Sequence, residues 1–112
     1  MKKHILITRI VMFSILFVLL LNIRITTVDG ESMQPTLYNN QILFCNTLDK
    51  TPEVGDIVVV KPLICFGGNY VIKRVIEVKD NQIWIEGDNK EHSYDSRDVG
   101  YIQISDIFGV CL

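Results

Sequence analysis

An apolar run near the N-terminus constrains this chain more than any other feature of its sequence. The run covers the 19 residues from Ile5 to Ile23, of which only four are not apolar: Thr8, Arg9, Ser14 and Asn22. A helix of this length extends about 28 Å at roughly 1.5 Å per residue, close to a hydrocarbon thickness of about 30 Å. The run therefore predicts one transmembrane helix at the N-terminus.

The charges that flank this helix predict its orientation. Arg9 and Arg24 border the most apolar part, so the embedded window has room to extend from about Ile10 to Val28 while both side chains reach headgroups. Most of the nearby basic residues precede the window: Lys2, Lys3, His4 and Arg9. The positive-inside rule then predicts a cytoplasmic N-terminus, an anchor within residues 1–28 and an extracytoplasmic domain over residues 29–112.

Two other interpretations of the apolar run stay open. A cleaved secretory signal has the same basic start and apolar middle, but it needs small residues at its cleavage site. Residues 21–29 contain no small-x-small pattern and the chain has no alanine, which favours an uncleaved anchor. The other alternative is a helix that is buried against a partner protein.

The rest of the chain has room for one small domain only. Residues 25–112 hold 7 basic and 13 acidic side chains, a net charge of −6. A region of this length is too short to fold into two domains, so a two-domain soluble enzyme is excluded. Its basic residues are scattered, so it has no electrostatic footprint for a phosphate backbone, and no nucleic-acid partner is expected.

Short β-branched stretches separated by turn residues follow the anchor and predict strands. Five stretches have this pattern: Gln41–Cys45, Asp56–Lys61, Tyr70–Lys79, Gln82–Glu86 and Tyr101–Cys111. The dipeptide Asp80-Asn81 predicts a hairpin between the third and the fourth. Because no helical period is present here, the pattern predicts a mainly β fold, a small β-barrel or sandwich preceded by one transmembrane helix.

The three cysteines and two histidines predict neither a metal site nor a cofactor. Cys45, Cys65 and Cys111 have no CxxC spacing, and neither histidine stands at a metal-ligand interval from them. The acidic residues after Gly87 lack the spacing of a calcium-binding loop. A bridge between Cys45 and Cys65 is compatible with an exported domain, although a buried free thiol is commoner in such apolar stretches. The odd count leaves at least one cysteine unpaired.

A serine stands in a constrained loop directly after the anchor, within the segment Gly30–Leu37. Gly30 permits unusual backbone angles and Pro35 fixes the chain after the serine, so we expect Ser32 on a rigid loop with its hydroxyl exposed. Such a loop suits a nucleophile, but on its own the pattern is more often a plain connection from helix to sheet. We expect Met33 either to touch lipid or to pack under the loop.

A serine nucleophile needs a base, and Lys73 is the candidate that the strand pattern provides. In Tyr70–Ile76 the alternation puts Lys73 on the face of Val71 and Val75 and puts Arg74 on the opposite face. One of these two side chains must therefore leave an apolar surface, and a desolvated lysine has a lowered pKa. Acting near neutral pH requires a shift of about 3 units from about 10.4, or roughly 4 kcal/mol, which only burial can provide.

A polar segment, Gly87–Gly100, follows the predicted hairpin. It is dense in side chains that hydrogen-bond to nearby backbone, and Asp95 and Arg97 are spaced to pair across a tight turn. It also contains His92, the only histidine after Ser32. On its own the segment is typical of an exposed polar loop.

Together these segments resemble the bacterial type I signal peptidases, membrane-anchored serine proteases with a Ser/Lys dyad that remove signal peptides from exported proteins. The resemblance covers nearly all of residues 1–109 in order. After the anchor come four boxes: Ser32–Leu37, Gly55–Val58, Tyr70–Val75, and Gly87–Asn89 with Ser93–Arg97. Each box alone is weak, and their order behind an anchor makes the match specific.

The resemblance implies a role for each matching residue. Ser32 would be the nucleophile and Lys73 the neutral general base, while the Ser32 amide and backbone groups at Gly30 would hold the oxyanion. Ser93 would orient the lysine. The implied supporting residues are the ion pair of Asp95 and Arg97 and the structural residues Asp88 and Asn89.

The resemblance also implies a substrate and a location. The substrate would be an extended preprotein segment with small residues at the first and third positions before the cut, bound by strand addition beside the nucleophile loop. Expected partners are signal-peptide-bearing preproteins, the lipid bilayer and the secretion machinery, without a cofactor. The domain would lie on the outer face of the cytoplasmic membrane. Only 13 residues separate Lys73 from Gly87, which leaves no room for the second β-domain of larger family members.

Three alternatives stand beside this hypothesis: a dedicated processing peptidase of the same superfamily for one pilin, conjugation or secreted substrate, a non-catalytic membrane-anchored β-module, and a self-cleaving repressor with a related dyad. The first shares the same site and is not separable from the leading hypothesis by sequence. The pairing of Ser32 with Lys73 argues against a pure binding module. The anchor and the lack of a DNA-binding segment disfavour the repressor.

Overall fold

The computed structural model describes all residues from Met1 to Leu112. Its first element is α1 (Lys2–Leu21), a helix of 20 residues whose most apolar window has a mean hydropathy of 2.4. None of its residues is buried against the rest of the chain. The helix is long and apolar enough to cross a membrane and is the candidate membrane span.

The helix ends before the limit of the predicted membrane window. The side chain of Asn22 donates a hydrogen bond back to the Val18 carbonyl at 2.7 Å, and the next residues, Ile23–Thr27, form strand β1. Most residues of β1 are β-branched, which favours extended backbone. The sheet thus begins inside the segment, up to Val28, that the sequence assigned to the anchor.

One antiparallel sheet of seven strands, a half-barrel, forms the rest of the fold. Its strands are β1 (Ile23–Thr27), β2 (Ile42–Asn46), β3 (Ile57–Val60), β4 (Val71–Lys79), β5 (Gln82–Glu86), β6 (Ile102–Gln103) and β7 (Ile107–Cys111). Their order across the sheet is β1-β2-β7-β3-β4-β5-β6. The connections contain a short helix, α2 (Ser96–Val99), and three single 3-10 turns: Ile64–Phe66, Lys90–His92 and Ile104–Asp106. The predicted mainly β fold behind an apolar helix is confirmed.

The strands follow the sequence prediction except at the C-terminal end. Four predicted strands match β2 to β5 to within one residue at each end, and Asp80-Asn81 closes the β4–β5 hairpin. The single strand predicted over Tyr101–Cys111 is wrong, because the turn at Ile104–Asp106 divides it into β6 and β7. The two pieces pair with different neighbours, β6 with β5 and β7 with both β2 and β3, so the chain has to bend between them.

Alternating side chains fill two apolar clusters on opposite faces of the sheet. The first contains Val58, Val60, Phe66, Val75, Ile83, Ile85, Ile102, Ile107 and Val110. The second contains Val28, Met33, Leu37, Leu43, Cys45 and Val59. Val58 and Val59 belong to different clusters because successive residues of a strand point to opposite faces. Met33 is fully buried, so it packs under the loop and does not face lipid.

Candidate active site

The long loop between β1 and β2 carries Ser32. At the base of the loop, the Val28 amide donates to the Gln41 carbonyl at 2.9 Å. Gly30 has a φ of +90°, a conformation that favours glycine, and its amide donates to the Asn39 side chain at 2.9 Å. The loop is thus closed by its own hydrogen bonds on both sides of the serine.

The backbone amides beside the Ser32 hydroxyl differ in their availability. The Gly30 amide is engaged by Asn39, whereas the Ser32 amide donates no hydrogen bond within the chain. The Ser32 side chain is half-buried, and Met33 beneath it is fully buried. Ser32 therefore has an unengaged amide and lies on a loop that is anchored in the core through Met33.

Residues after β5 hold the serine loop from the other side. The Asn89 amide donates to the Ser32 carbonyl at 2.8 Å, and the Asn89 side chain donates to the Glu31 carbonyl at 3.1 Å. Asp88 is hydrogen-bonded to the side chain of Thr36, and this contact adds to the forces that lower its pKa. The sequence placed Asp88 and Asn89 in a box, and the structure brings that box against the serine loop.

Arg74 connects Asp88, which lies against the serine loop, to the loop before β3. Its guanidinium binds Asp88 through two parallel hydrogen bonds, Nε to Oδ1 at 2.8 Å and Nη2 to Oδ2 at 2.9 Å, and it also donates to the Gly55 carbonyl at 2.7 Å. The hydrogen bond from Arg74 is the largest influence lowering the pKa of Asp88. Sequence reasoning assigned no partner to Arg74, although its place opposite Lys73 on an alternating strand already required it to leave the apolar face.

Of the neighbouring residues Lys73 and Arg74, only Lys73 has a buried side chain. It lies on β4 opposite Val58 of β3, on the face of the fully buried Val75, and is 5% exposed. Its Nζ donates to the Ser93 Oγ at 3.1 Å. Burial lowers the pKa of Lys73, with nearby Asp95 opposing that shift and Arg97 adding to it. The strand therefore puts an amine with a lowered pKa inside the protein.

Ser93 connects Lys73 to a buried carboxylate. Its hydroxyl donates to Asp95 Oδ2 at 2.6 Å, and the Gly87 amide donates to the same hydroxyl at 3.1 Å. Because a serine hydroxyl has a single proton and gives it to Asp95, its oxygen accepts from Lys73. The lysine nitrogen thus uses a proton, and not its lone pair, to bind Ser93.

Asp95 is the most enclosed charge of the site, with its side chain fully buried. Arg97 binds it through Nε to Oδ1 and Nη2 to Oδ2, both at 3.0 Å, and the Gly87 amide donates to Oδ2 at 2.9 Å. Asp95 also caps α2, with Asp98 completing the capping box. Burial by itself would raise the pKa of Asp95, but the hydrogen bonds from Arg97, Ser93 and Gly87 together hold it well below the usual range.

Gly87 separates the serine loop from Ser93. A Cβ at this position would lie 2.5 Å from the Ser32 carbonyl oxygen and 2.6 Å from the Ser93 Cβ, with the Ser93 Oγ in still closer contact. No side chain fits into this space without moving one of them. The sequence signal for this role was only the place of Gly87 at the start of a box, where close backbone approach is one reason for glycine.

Two adjacent clefts of about 280 Å³ and 530 Å³ open on the site. Both are lined by Ser32 and Lys73, which face the same space without a direct hydrogen bond between them. Both clefts also share Asp29, Phe66 and Val71. Catalytic hydrogen bonds are often long before substrate binds, so this separation is compatible with a reacting pair.

The larger cleft also has His92 on its wall, together with Tyr94 and Cys65. His92 is exposed, and the sequence treated it only as part of a polar loop. Its imidazole lines the same cleft as Ser32 and is a common general base, so His92 is a rival base to be tested. No group of three or more His, Cys, Asp or Glu side chains is arranged to hold a metal ion.

Comparisons with known proteins identify the family of the chain. The family model described as Peptidase S24-like matches residues 14–112. The mitochondrial inner membrane protease subunit 1 of Xenopus tropicalis is 30% identical in an alignment 106 residues long, gaps included; the alignment covers 74% of this chain and 64% of that protein. The chain thus spans just under two thirds of the length of this relative. Residues 14–112, which the family model matches, contain the whole candidate site.

Proposed function

The chain belongs to the Peptidase S24-like family and is a type I signal peptidase-like protein, and from this premise we propose that it is a membrane-anchored serine endopeptidase that removes N-terminal signal peptides from exported preproteins. The observation that carries the proposal is the buried Lys73, whose pKa is lowered by burial and which lines the same clefts as Ser32. A solvated lysine would be protonated at neutral pH and unable to act as a base.

The reaction begins when Ser32 Oγ attacks the scissile carbonyl and Lys73 Nζ takes the hydroxyl proton. Because Lys73 donates to Ser93, its lone pair stays available for that proton. The Ser32 amide donates to the developing oxyanion. Lys73 then returns the proton to the leaving amine, and in the second half it activates the water that hydrolyses the acyl-enzyme.

The substrate is an extended segment with small residues at the first and third positions before the cut. Strand β1 pairs only with β2, so its outer edge is unpaired and runs toward Ser32. An added strand would obtain main-chain hydrogen bonds there, while its alternate side chains enter the clefts beside Ser32. Thr26, Thr27 and Val28 line the smaller cleft and supply this edge.

The proposed location follows from α1 and its charges. The helix crosses the cytoplasmic membrane once, with the N-terminus in the cytoplasm and the sheet outside. Only Asn22 separates α1 from β1, so the sheet lies directly at the membrane surface. The cleavage site of a membrane-inserted signal peptide emerges at that height, and association with the secretion machinery would deliver it there.

The decisive experiment is cleavage of a preprotein with a small-x-small site by the detergent-solubilised full-length chain. We expect Ser32→Ala, Lys73→Ala and Lys73→Arg each to lose at least about 10³-fold in rate, since a guanidinium cannot deprotonate. The matched controls Ser105→Ala and Lys79→Ala change exposed residues of the same types and should keep the wild-type rate.

A further variant separates the two candidate bases. His92→Gln should retain most activity if Lys73 is the base, whereas a loss equal to that of Ser32→Ala would assign the base to His92. A folded wild-type chain that cleaves no preprotein would overturn the proposal in favour of a non-catalytic module. Cleavage restricted to one secreted or pilin substrate would instead make the chain a dedicated processing peptidase.

A further inference from the structure

The sheet brings Cys45 and Cys111 together, a pairing that the positions of the cysteines in the sequence did not predict. They stand directly opposite each other in the antiparallel pair of β2 and β7, and their sulfur atoms are 2.6 Å apart. Cys65, which the sequence considered as the partner of Cys45, is exposed in the turn after β3. The bridge between Cys45 and Cys65 that the sequence left open is not formed, and all three cysteines are thiols in this structure.

The register of this strand pair suits a covalent bond. The Leu112 amide donates to the Phe44 carbonyl at 2.8 Å, which marks the neighbouring position as a hydrogen-bonded pair. Because the two pair types alternate along an antiparallel ladder, Cys45 and Cys111 form a non-hydrogen-bonded pair, with Cα atoms about 4.5 Å apart. A disulfide accepts Cα separations of about 4.4–6.8 Å. Cross-strand register and side-chain direction thus satisfy its geometry together.

We propose that Cys45 and Cys111 form a disulfide that covalently joins β2 to β7. The two protein thiols lose two protons and two electrons, and an oxidant that bears a disulfide, such as oxidised glutathione or a dithiol oxidase, is reduced to two thiols. One cysteine thiolate attacks the oxidant to give a mixed disulfide, and the other displaces the oxidant's thiol. An exported domain lies where such oxidants are present.

The hydrogen bond between the two thiols and their burial distinguish the roles of the two cysteines in this exchange. The hydrogen bond from Cys111 lowers the pKa of Cys45, so Cys45 is the more readily ionised of the two. Cys111 is the less buried of the pair, so it is the cysteine to which an oxidant has access. Cys45, the more readily ionised thiol, is therefore suited to displace the oxidant's thiol from a mixed disulfide at Cys111.

The position of the bond gives it a mechanical role. Strand β7 is the only link between the β1–β2 pair and the rest of the sheet, and β2 pairs with it over two positions only. The β1–β2 pair carries Ser32, whereas Lys73 lies on β4 beyond β3. A disulfide at this junction would fasten the part that holds the serine to the part that holds the lysine.

Oxidation of the full-length chain in detergent tests the proposal without any measurement of cleavage. After treatment with oxidised glutathione, we expect one free thiol in place of three and a peptide pair that joins Cys45 to Cys111 by mass spectrometry. The midpoint of thermal unfolding should rise by at least about 5 °C relative to the reduced chain. Membranes isolated with thiols blocked at lysis should contain the same linked peptides.

Variants distinguish this bond from adventitious oxidation. Cys65→Ser should keep both the linked peptides and the thermal shift, whereas Cys111→Ser should lose both while remaining folded. Three free thiols after oxidation of the folded wild-type chain would overturn the proposal. So would a bond that includes Cys65, or a linked pair that leaves the unfolding midpoint unchanged.

Discussion

At the scale of single residues, the site depends on a lysine that is 5% exposed. Each pKa unit that burial removes corresponds to about 1.36 kcal/mol of penalty against the charged amine. The neutral amine still needs a hydrogen-bond partner, and Ser93 provides it at 3.1 Å. Burial of Lys73 therefore lowers the free energy of unfolding, a cost that we would not expect of a residue with only a structural role.

Replacement of Lys73 by methionine tests this cost. Lys73→Met removes the amine but keeps the apolar stem, so we expect a rate loss of at least about 10³-fold with an unfolding midpoint equal to or above that of wild type. The stability difference should also depend on pH. Between the lowered pKa of folded Lys73 and about 10.4, only the unfolded lysine binds the proton, so wild-type stability rises with pH in that window.

Thermal unfolding of wild type and Lys73→Met, followed from about pH 7 to pH 10, measures this difference. The matched variant Lys79→Met changes an exposed lysine on the same strand and should leave both rate and pH dependence unchanged. A Lys73→Met chain that unfolds well below wild type at every pH would show that the lysine is structural.

Gly87 makes a second prediction at this scale. A Cβ there would meet the Ser32 carbonyl at 2.5 Å, so Gly87→Ala must separate the serine loop from Ser93. Overpacking of this kind costs about 1–3 kcal/mol, and the displaced Ser32 should lower the cleavage rate more than the affinity for substrate. Unfolding and steady-state kinetics measure the two effects, and wild-type values for both would contradict the close packing.

At the scale of elements, the polar segment after β5 is the part that sequence patterns described least well. Its composition is typical of an exposed loop, yet Asp95 is fully buried and Ser96 is 1% exposed. The Ser96 hydroxyl accepts from the Ile85 amide at 2.9 Å, which attaches α2 to β5. Polar side chains inside this segment replace the backbone partners that a strand or long helix would supply.

Asp95→Asn tests whether this element depends on its buried carboxylate. The change removes one partner of a bidentate ion pair, and we expect a loss of about 3 kcal/mol in the free energy of unfolding near neutral pH. Because the pKa of folded Asp95 is lowered, its contribution is present above about pH 4 and is lost as pH falls toward the folded value. The difference from wild type should therefore shrink below about pH 4.

Urea unfolding at several pH values measures this effect. Asp80→Asn, in the exposed β4–β5 turn, is the matched control, since Asn tolerates the positive φ found there. An Asp95→Asn chain with the same deficit at acid and neutral pH would contradict an ion pair as the source of the stability.

At the scale of the whole molecule, a helix with no buried residues is joined to a folded sheet by one residue. The helix carries the basic N-terminus, and the sheet carries the excess of acidic residues. This asymmetry predicts the direction in which the chain crosses the membrane. Cys65, exposed in the turn after β3, is a natural probe of that direction.

We expect a membrane-impermeant maleimide to label Cys65 in intact spheroplasts, because the sheet would lie outside the membrane. Cys65→Ser should abolish this labelling. In that background, Lys3→Cys places a thiol in the first turn of the helix, and this thiol should react only after the membrane is permeabilised. Labelling of Cys65 only after permeabilisation would reverse the proposed orientation.

The sequence by itself determined the apolar helix, the mainly β fold and the strands β2 to β5, because these follow from periodicity among neighbouring residues. It also placed Ser32, Lys73 and Asp95 in ordered boxes. The sequence pattern did not predict the short strand β1, because its residues continue the apolar pattern of the helix. Only their pairing with β2 makes them a strand.

Only the tertiary structure decided which residues meet. The burial of Lys73, the contact of Asn89 with the Ser32 carbonyl and the apposition of Cys45 with Cys111 join positions far apart in the chain. Such contacts depend on strand order and register, and a shift of one residue would reverse every side chain of a strand. Local pattern carries no information on that choice, because it is made by the packing of the whole sheet.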